Sequence, residues 1–292
     1  MIAEGTVIAR YKKNALVKNI KAEEISCLFK NRDINPLVGD QVRYLEENNT
    51  FIITDIAPRI SEFSRINKKG EKEIIAVNIT QLAIVISARP KPDWFLLDKY
   101  LSSSQINQFK TVIVFNKIDL GKPGKEILDL YRNIGYKVIN TSAVNNDTEN
   151  LLTELSNETS VLIGQSGVGK SSLINKLTNI KKQLIGDLSK KTNTGKHTTT
   201  SSRLFSLNNN GSIIDSPGVR NYAPYFNNTN EILSGFIEFR NFEENCRFIN
   251  CTHLSEPDCS IKKAVANKKI DKRRYENFKK LFNQIDSIKN KF

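Results

Sequence analysis

The stretch GQSGVGKS, Gly164 to Ser171, has the composition of a loop that holds phosphate. Its glycines let the backbone approach an anion, and successive N–H groups followed by a helix N-terminus present positive partial charge. In such a loop Lys170 reaches the β and γ phosphates of a nucleotide, and the Ser171 hydroxyl binds Mg²⁺. The flanks agree: the apolar run Val161 to Ile163 reads as a buried strand, and Leu173 to Leu177 reads as a helix.

A phosphate loop alone does not choose a base; NKID, Asn116 to Asp119, does. The Asp119 carboxylate accepts from guanine N1–H and the exocyclic N2 amine, whereas adenine presents an acceptor at N1 and no amine on that edge. The wrong base leaves buried polar groups unpaired at about 1 to 3 kcal/mol each. Asn116 and Lys117 would frame the ring, and Thr141 to Ala143, at the end of a short strand, supplies a further base-contacting loop. DSPG, Asp215 to Gly218, follows another apolar segment and places Asp215 to hold Mg²⁺ through water, with the Gly218 N–H toward the γ-phosphate. Between it and the phosphate loop lies GKHTTT, Gly195 to Thr200. One of Thr198, Thr199 and Thr200 would complete the Mg²⁺ shell; an ordinary Lys-rich surface loop is the plainer reading of the same residues. Val219 stands where many GTPases carry a water-orienting Gln, and His197 is the nearest polar replacement.

A third constellation is Cys246, Cys251, His253 and Cys259, three thiols and an imidazole within fourteen positions. This set suits tetrahedral structural Zn²⁺, although its spacing differs from paired CxxC motifs and unrelated buried thiols are the alternative.

Holding these groups requires elements of two kinds. Five short alternating segments, Thr6 to Tyr11, Ala15 to Ile20, Ile25 to Lys30, Gln41 to Glu46 and Phe51 to Ile56, predict a small barrel of the OB type or a plain antiparallel sheet. Beyond a polar stretch at Asn67 to Lys72, buried strands are predicted at Gln81 to Ser87, Thr111 to Phe115, Lys137 to Asn140, Val161 to Gly164, Arg203 to Leu207 and Ser212 to Ile214. Helical patterns lie between them, which points to an α/β sheet covered on both faces. After residue 222 only helical patterns remain, and Tyr275, Phe278, Phe282 and Ile285 make one apolar face.

The formal charge of +13 attracts polyanions, nucleic acid first and an anionic membrane surface second. It is concentrated: residues 261–292 carry eleven Lys or Arg against three acidic residues, so phosphate binding competes there with a merely solvated helix face. The sequence MIAEGTVIAR has no apolar core of signal-peptide length, and no run reaches the roughly 18 apolar residues that span a bilayer. A cytoplasmic protein is expected, and in a reducing compartment the clustered cysteines favour metal over disulfides.

The motif order is permuted: NKID and TSA precede GQSGVGKSS, GKHTTT and DSPGVR. With this order, the Cys₃His set and the N-terminal barrel, the whole chain resembles the RsgA family of ribosome small subunit-dependent, circularly permuted GTPases. The resemblance implies a permuted α/β P-loop GTPase with an N-terminal OB-fold and a C-terminal helical zinc-binding domain. The boundaries are an RNA-binding barrel over 1–63, a G domain over 64–221, and a zinc domain with a basic C-terminal helix over 222–292. The nucleotide set would be Asn116, Lys117, Ile118, Asp119, Ser142, Ala143, Gly164, Gln165, Ser166, Gly167, Val168, Gly169, Lys170, Ser171, Ser172, Asp215 and Gly218, with Lys170 and His197 catalytic. It implies GTP or GDP, Mg²⁺ and one structural Zn²⁺ as cofactors, and the small ribosomal subunit with its rRNA as partner. It further implies late subunit maturation by a monomer in the cytoplasm, hydrolysis being stimulated by the subunit and coupled to release. A permuted GTPase of the large subunit, or a zinc-dependent RNA-binding module that keeps GDP without turnover, stays open; hydrolysis with and without small subunits separates them.

Overall fold

The computed structural model describes residues 2–67, 69–121, 125–178, 202–216 and 222–289. Strands β1 (Ile2–Arg10), β2 (Asn14–Asn19), β3 (Glu24–Phe29), β4 (Gln41–Glu47) and β5 (Thr50–Ile56) run in the order β1-β2-β3-β5-β4. Pairing of β4 back onto β1, with Ile2 opposite Leu45 and Thr6 opposite Gln41, closes the barrel. Only β3 with β5 is parallel. Period-two alternation sends Val7, Ala15, Val17, Cys27, Val42, Tyr44 and Ile53 into one core. This is the closed barrel expected of an OB-fold, and closure leaves no free sheet edge.

Sequence patterning missed the next element, a hairpin of β6 (Glu62–Ile66) and β7 (Lys72–Val77). The polar stretch Asn67 to Lys72 includes its turn, where Asn67 N–H donates to Glu71 O. The expected boundary at 63/64 falls within β6. Arg59, just before the hairpin, ties it to the barrel: the two carboxylate oxygens of the fully buried Asp40 each accept from Arg59 at 2.9 Å, and Arg59 Nη1 donates to Glu62 of β6 at 3.4 Å.

The central sheet has the order β10-β9-β8-β11-β13-β12, with β8 (Gln81–Ser87), β9 (Lys110–Asn116), β10 (Lys137–Asn140), β11 (Thr159–Gly164) and β13 (Ser212–Asp215) parallel. Only β12 (Arg203–Ser206) is antiparallel. Helices cover both faces, which explains strands without a polar side. Leu82, Ile84, Ile113, Phe115 and Val161 pack against α1 (Trp94–Ile106) and α2 (Lys125–Ile134). The alternate residues Ala83, Val85, Val112, Val114 and Leu162 pack against α3 (Glu149–Glu154) and α4 (Lys170–Leu177).

The C-terminal module contains α5 (Asn230–Ser234), α6 (Arg240–Glu243), α7 (Ser260–Ala266) and α8 (Lys272–Lys289) around Phe226, Phe236, Phe239, Phe278 and Ile285. It docks on α1 through a buried charge. Arg274 Nη1 donates to Asp98 Oδ1 at 2.6 Å, while Nε and Nη2 donate to the two Glu238 oxygens at 2.7 and 2.9 Å. Tyr131 and Asn277 also donate to Asp98, at 2.7 and 2.6 Å. One residue of the basic run read as a polyanion-binding helix is therefore an internal bolt, fully shielded from solvent.

Arg274→Ala would strand the buried Asp98 carboxylate beside a void. Removing one partner of a buried ion pair costs about 3 to 5 kcal/mol. Urea unfolding of the full chain should show that loss, and an unchanged midpoint would mean that Arg274 does not hold the module in place.

Candidate nucleotide site and metal centre

In a parallel sheet the C-terminal strand ends face one edge, and ligands bind where the connections diverge. Here β9, β10, β11 and β13 end in Asn116, Asn140, Gly164 and Asp215, so four motifs scattered from residue 116 to 216 open on one rim. Their packing is tight enough to dictate residue types. Gly164 has φ +141°, and a Cβ there would lie 2.1 Å from Val85 O; Gly169, φ +95°, would place one 2.5 Å from Asn116 Nδ2.

Asn116 is buried, and its amide joins three loops: Nδ2 donates to Val168 O at 2.9 Å, and Oδ1 accepts from Thr141 Oγ1 at 3.0 Å. Lys117 takes a left-handed backbone, φ +61°, and its ammonium donates to Gly167 O at 2.5 Å and Arg89 O at 3.1 Å. Asp119 stays exposed at the rim, oriented by Ser142 Oγ, which donates to Oδ1 at 2.5 Å. Ile118 packs on one apolar cluster and Ala143 on the other, so their contribution is to seat the two loops.

On the phosphate side, Val168 is buried beneath the loop while Ser166, Gly167, Ser171 and Ser172 are exposed above it. Lys170 Nζ donates to Gly164 O and Gln165 O, both at 2.8 Å. Burial raises the Asp215 carboxyl above its ordinary range, with the Lys170 charge pulling it back. An ammonium, a helix N-terminus and a carboxylate thus share one corner, an arrangement that accommodates a phosphate with its divalent cation. Gln165 turns away, accepting from Asp93 N–H at 3.0 Å. His197, Thr198, Thr199, Thr200, Gly218 and Val219 lie outside the described residues.

Thr141, expected within the base-contacting loop, uses its hydroxyl to orient the buried Asn116 amide. Two further participants lie outside the motifs. Arg89 offers only a backbone carbonyl, which leaves no side-chain signal. Asp93 could have been found, since an Asp before the run Trp94 to Leu97 is a helix-capping signal, and its Oδ1 does accept from Leu96 N–H at 2.9 Å.

The second centre sits at the start of α7. Ligand atoms of Cys246, Cys251, His253 and Cys259 all lie within 4.8 Å of one another. Cys246 Sγ to His253 Nδ1 is 3.5 Å, His253 Nδ1 to Cys259 Sγ 3.4 Å, and the two sulfurs 3.9 Å. Donors at tetrahedral angles around zinc, with Zn–S about 2.3 Å and Zn–N about 2.0 Å, would be about 3.5 to 3.8 Å apart, so the set fits. Burial lowers the His253 pKa against the pull of Glu256, favouring the neutral imidazole that ligates metal. Tyr275 donates to His253 O at 2.7 Å and ties the ligand loop to α8.

The sequence model of the RsgA GTPase family matches residues 56–224. A Haemophilus influenzae protein named small ribosomal subunit biogenesis GTPase RsgA is 36% identical over 297 residues, covering 98% of this chain and 86% of its own. The crystal structure of YjeQ from Thermotoga maritima superposes with a TM-score of 0.76 at 26% identity, over 98% of this chain and 99% of that one. YloQ, described as a circularly permuted GTPase, gives 0.72 at 26% identity, over 98% and 96%.

If the ligand set holds zinc, purified wild-type protein should carry one zinc per chain. Cys251→Ser should lower that stoichiometry and the thermal stability of the C-terminal module together, because metal binding contributes folding free energy. Elemental analysis with calorimetry reads both; a metal-free wild type of full stability would overturn the assignment.

Proposed function

Because this chain belongs to the RsgA GTPase family, we propose that it binds GTP on the rim described above, hydrolyses it to GDP and phosphate, and acts on the small ribosomal subunit late in its maturation. The observation that carries the reading is the direct bonding of NKID to the phosphate loop, through Asn116 to Val168 and Lys117 to Gly167, which sets a base-reading carboxylate at a fixed span from a phosphate cradle.

In this mechanism Asp119 reads the guanine edge, held in place by Ser142, and the Lys117 stem covers one face of the ring. Lys170 exchanges its loop carbonyls for the β and γ phosphate oxygens and stabilises charge that develops on them. Ser171, one of Thr198, Thr199 and Thr200, and Asp215 through water would hold Mg²⁺, which when bound would supply positive charge against the phosphates. Gly218 contacts the γ-phosphate, and His197 orients the attacking water in place of the apolar Val219. Cys246, Cys251, His253 and Cys259 would hold a structural Zn²⁺, whose binding would stabilise the C-terminal module.

We assign 1–63 and 222–292 to rRNA contact and 64–221 to catalysis, with the subunit stimulating hydrolysis and hydrolysis releasing the protein. The charge of +13 supports a polyanionic partner. A cytoplasmic monomer is the simplest form of this activity; among the described residues no helix is long and apolar enough to cross a membrane.

Two measurements test this reading. Small subunits should accelerate GTP hydrolysis by the wild type, and Lys170→Ala should lower single-turnover hydrolysis by at least about a hundredfold, the scale for one lost transition-state contact. A wild-type rate indifferent to subunits would remove the ribosomal claim, and a fully active Lys170→Ala would remove the catalytic one. Asp119→Asn should shift preference from GTP to XTP, since an amide donates where xanthine carries a carbonyl at C2. Competition titrations read this directly, and retained GTP preference would show that Asp119 does not face the base.

A further inference from the structure

On the C-terminal module, away from the nucleotide rim, a cleft of about 400 Å³ opens between α5, the ligand loop and α8. Its apolar lining comes from Leu233, Phe278 and Phe282, with Phe248 at its edge. Ile249, beside it, is fully exposed, and Phe248 is 44% exposed. These two apolar residues stand between zinc-site residues Cys246 and Cys251, so a metal-fixed loop presents them to solvent. The rim carries Glu243 and Glu244. Neither side chain has an ion pair or hydrogen bond among the described residues, although the chain contains 44 Lys and Arg. A neighbouring cation, Arg247, whose guanidinium lies 5.5 Å from the Phe248 ring centroid, already pairs with Asp258 at 3.3 Å, and no Lys or Arg lines the cleft, so its own charged side chains are the two carboxylates.

We propose that this cleft docks a short basic segment of a partner protein: one large apolar side chain seated against Leu233, Phe282 and Phe248, above the buried Phe278 ring, and flanked by Lys or Arg that pair with Glu243 and Glu244. Charge complementarity selects the occupant. Carboxylates at the rim repel RNA phosphates, so this face is unsuited to the polyanion that the rest of the chain attracts. A second copy of this chain would bring a net charge of +13 against the same sign. A basic peptide pays that long-range repulsion too, but only over a Debye length of roughly 8 Å at physiological salt, inside which the two carboxylates dominate. An aromatic floor with an exposed aliphatic edge supplies the anchor on which such docking depends.

The test is selection of random twelve-residue peptides on the immobilised, zinc-loaded full chain, followed by fluorescence anisotropy of the enriched peptides at physiological salt. Enriched sequences should combine Lys or Arg with one bulky apolar residue. Their affinity should fall about tenfold or more with the double substitution Glu243→Lys and Glu244→Lys, the rim pairs being reversed to repulsion. Ile249→Ser should weaken binding without a structural cost, its side chain being fully exposed. Zinc content and GTP hydrolysis, measured on the same preparations, should not change, since cations at the C-terminal end of α6 are favourably placed. No enrichment, enrichment of acidic peptides, or affinities indifferent to both variants would overturn the proposal. So would a single-stranded RNA probe that displaces the selected peptides from the wild type.

Discussion

The nucleotide rim depends on one buried amide. Asn116 sits at the end of a strand with almost no solvent access, so each of its polar atoms needs a protein partner, and an unmet one would cost about 1 to 3 kcal/mol. It finds a carbonyl in the phosphate loop and a hydroxyl in the loop after β10. Three loops from three strands are therefore registered to one side chain. Gly169 belongs to the same constraint, because any larger residue would occupy the space of that amide. The loop is thus shaped from below by Asn116 and Val85 rather than by its own sequence alone.

The order of motifs along the chain leaves this geometry untouched. All the parallel strands end at the same edge whichever is made first, and β8 to β13 satisfy the sheet with the NKID strand early and the DSPG strand late. What the order alters is attachment. β1 pairs with β12 at Ala9 and Arg203, which joins barrel and sheet into one continuous array of eleven strands. Past the DSPG motif, residues 222–224 meet the hairpin instead: Arg65 bridges to Pro224, and Ile66 N–H donates to Ala223 O.

Features whose chemistry is local were legible in the sequence: the phosphate loop, NKID, the thiol and imidazole cluster, and strands with clean alternation. Features made by distant partners were not. β1 begins at Ile2 rather than Thr6 because its first residues pair with β4, forty residues away, and no local pattern reports that closure. The β6 and β7 hairpin hid because its alternation is interrupted by charges that pair across strands, Arg65 with Glu73 and Lys72 with Glu62. Arg274, in a run of lysines and arginines, looks like every other surface cation until Asp98 arrives from 176 positions away. Periodicity finds faces; it does not find which charge a face will bury.

Helix α1 emerges as the member on which the separate parts converge. At its N-terminus Asp93 caps the helix through its side chain and donates its N–H to Gln165 of the phosphate loop. In its first half Asp98 receives Arg274 and Asn277 from α8. Farther along, Ser103 accepts from Tyr222, whose ring stacks on Phe63 at 5.3 Å and lies 4.6 Å from that of Tyr100. Tyr222 is fully buried, so the chain just past the DSPG motif is anchored to α1 and the hairpin together. Asp215 on one side and Tyr222 on the other are held by packed elements. Displacing α1 would strain the Gln165 contact at one end and the Arg274 bolt at its middle at once, because a packed helix moves as a body and close-packed cores transmit rather than absorb shifts. The permuted connection thus gives the C-terminal module two mechanical ties to the nucleotide rim, one through the chain and one through a buried charge, and both run through the same thirteen-residue helix.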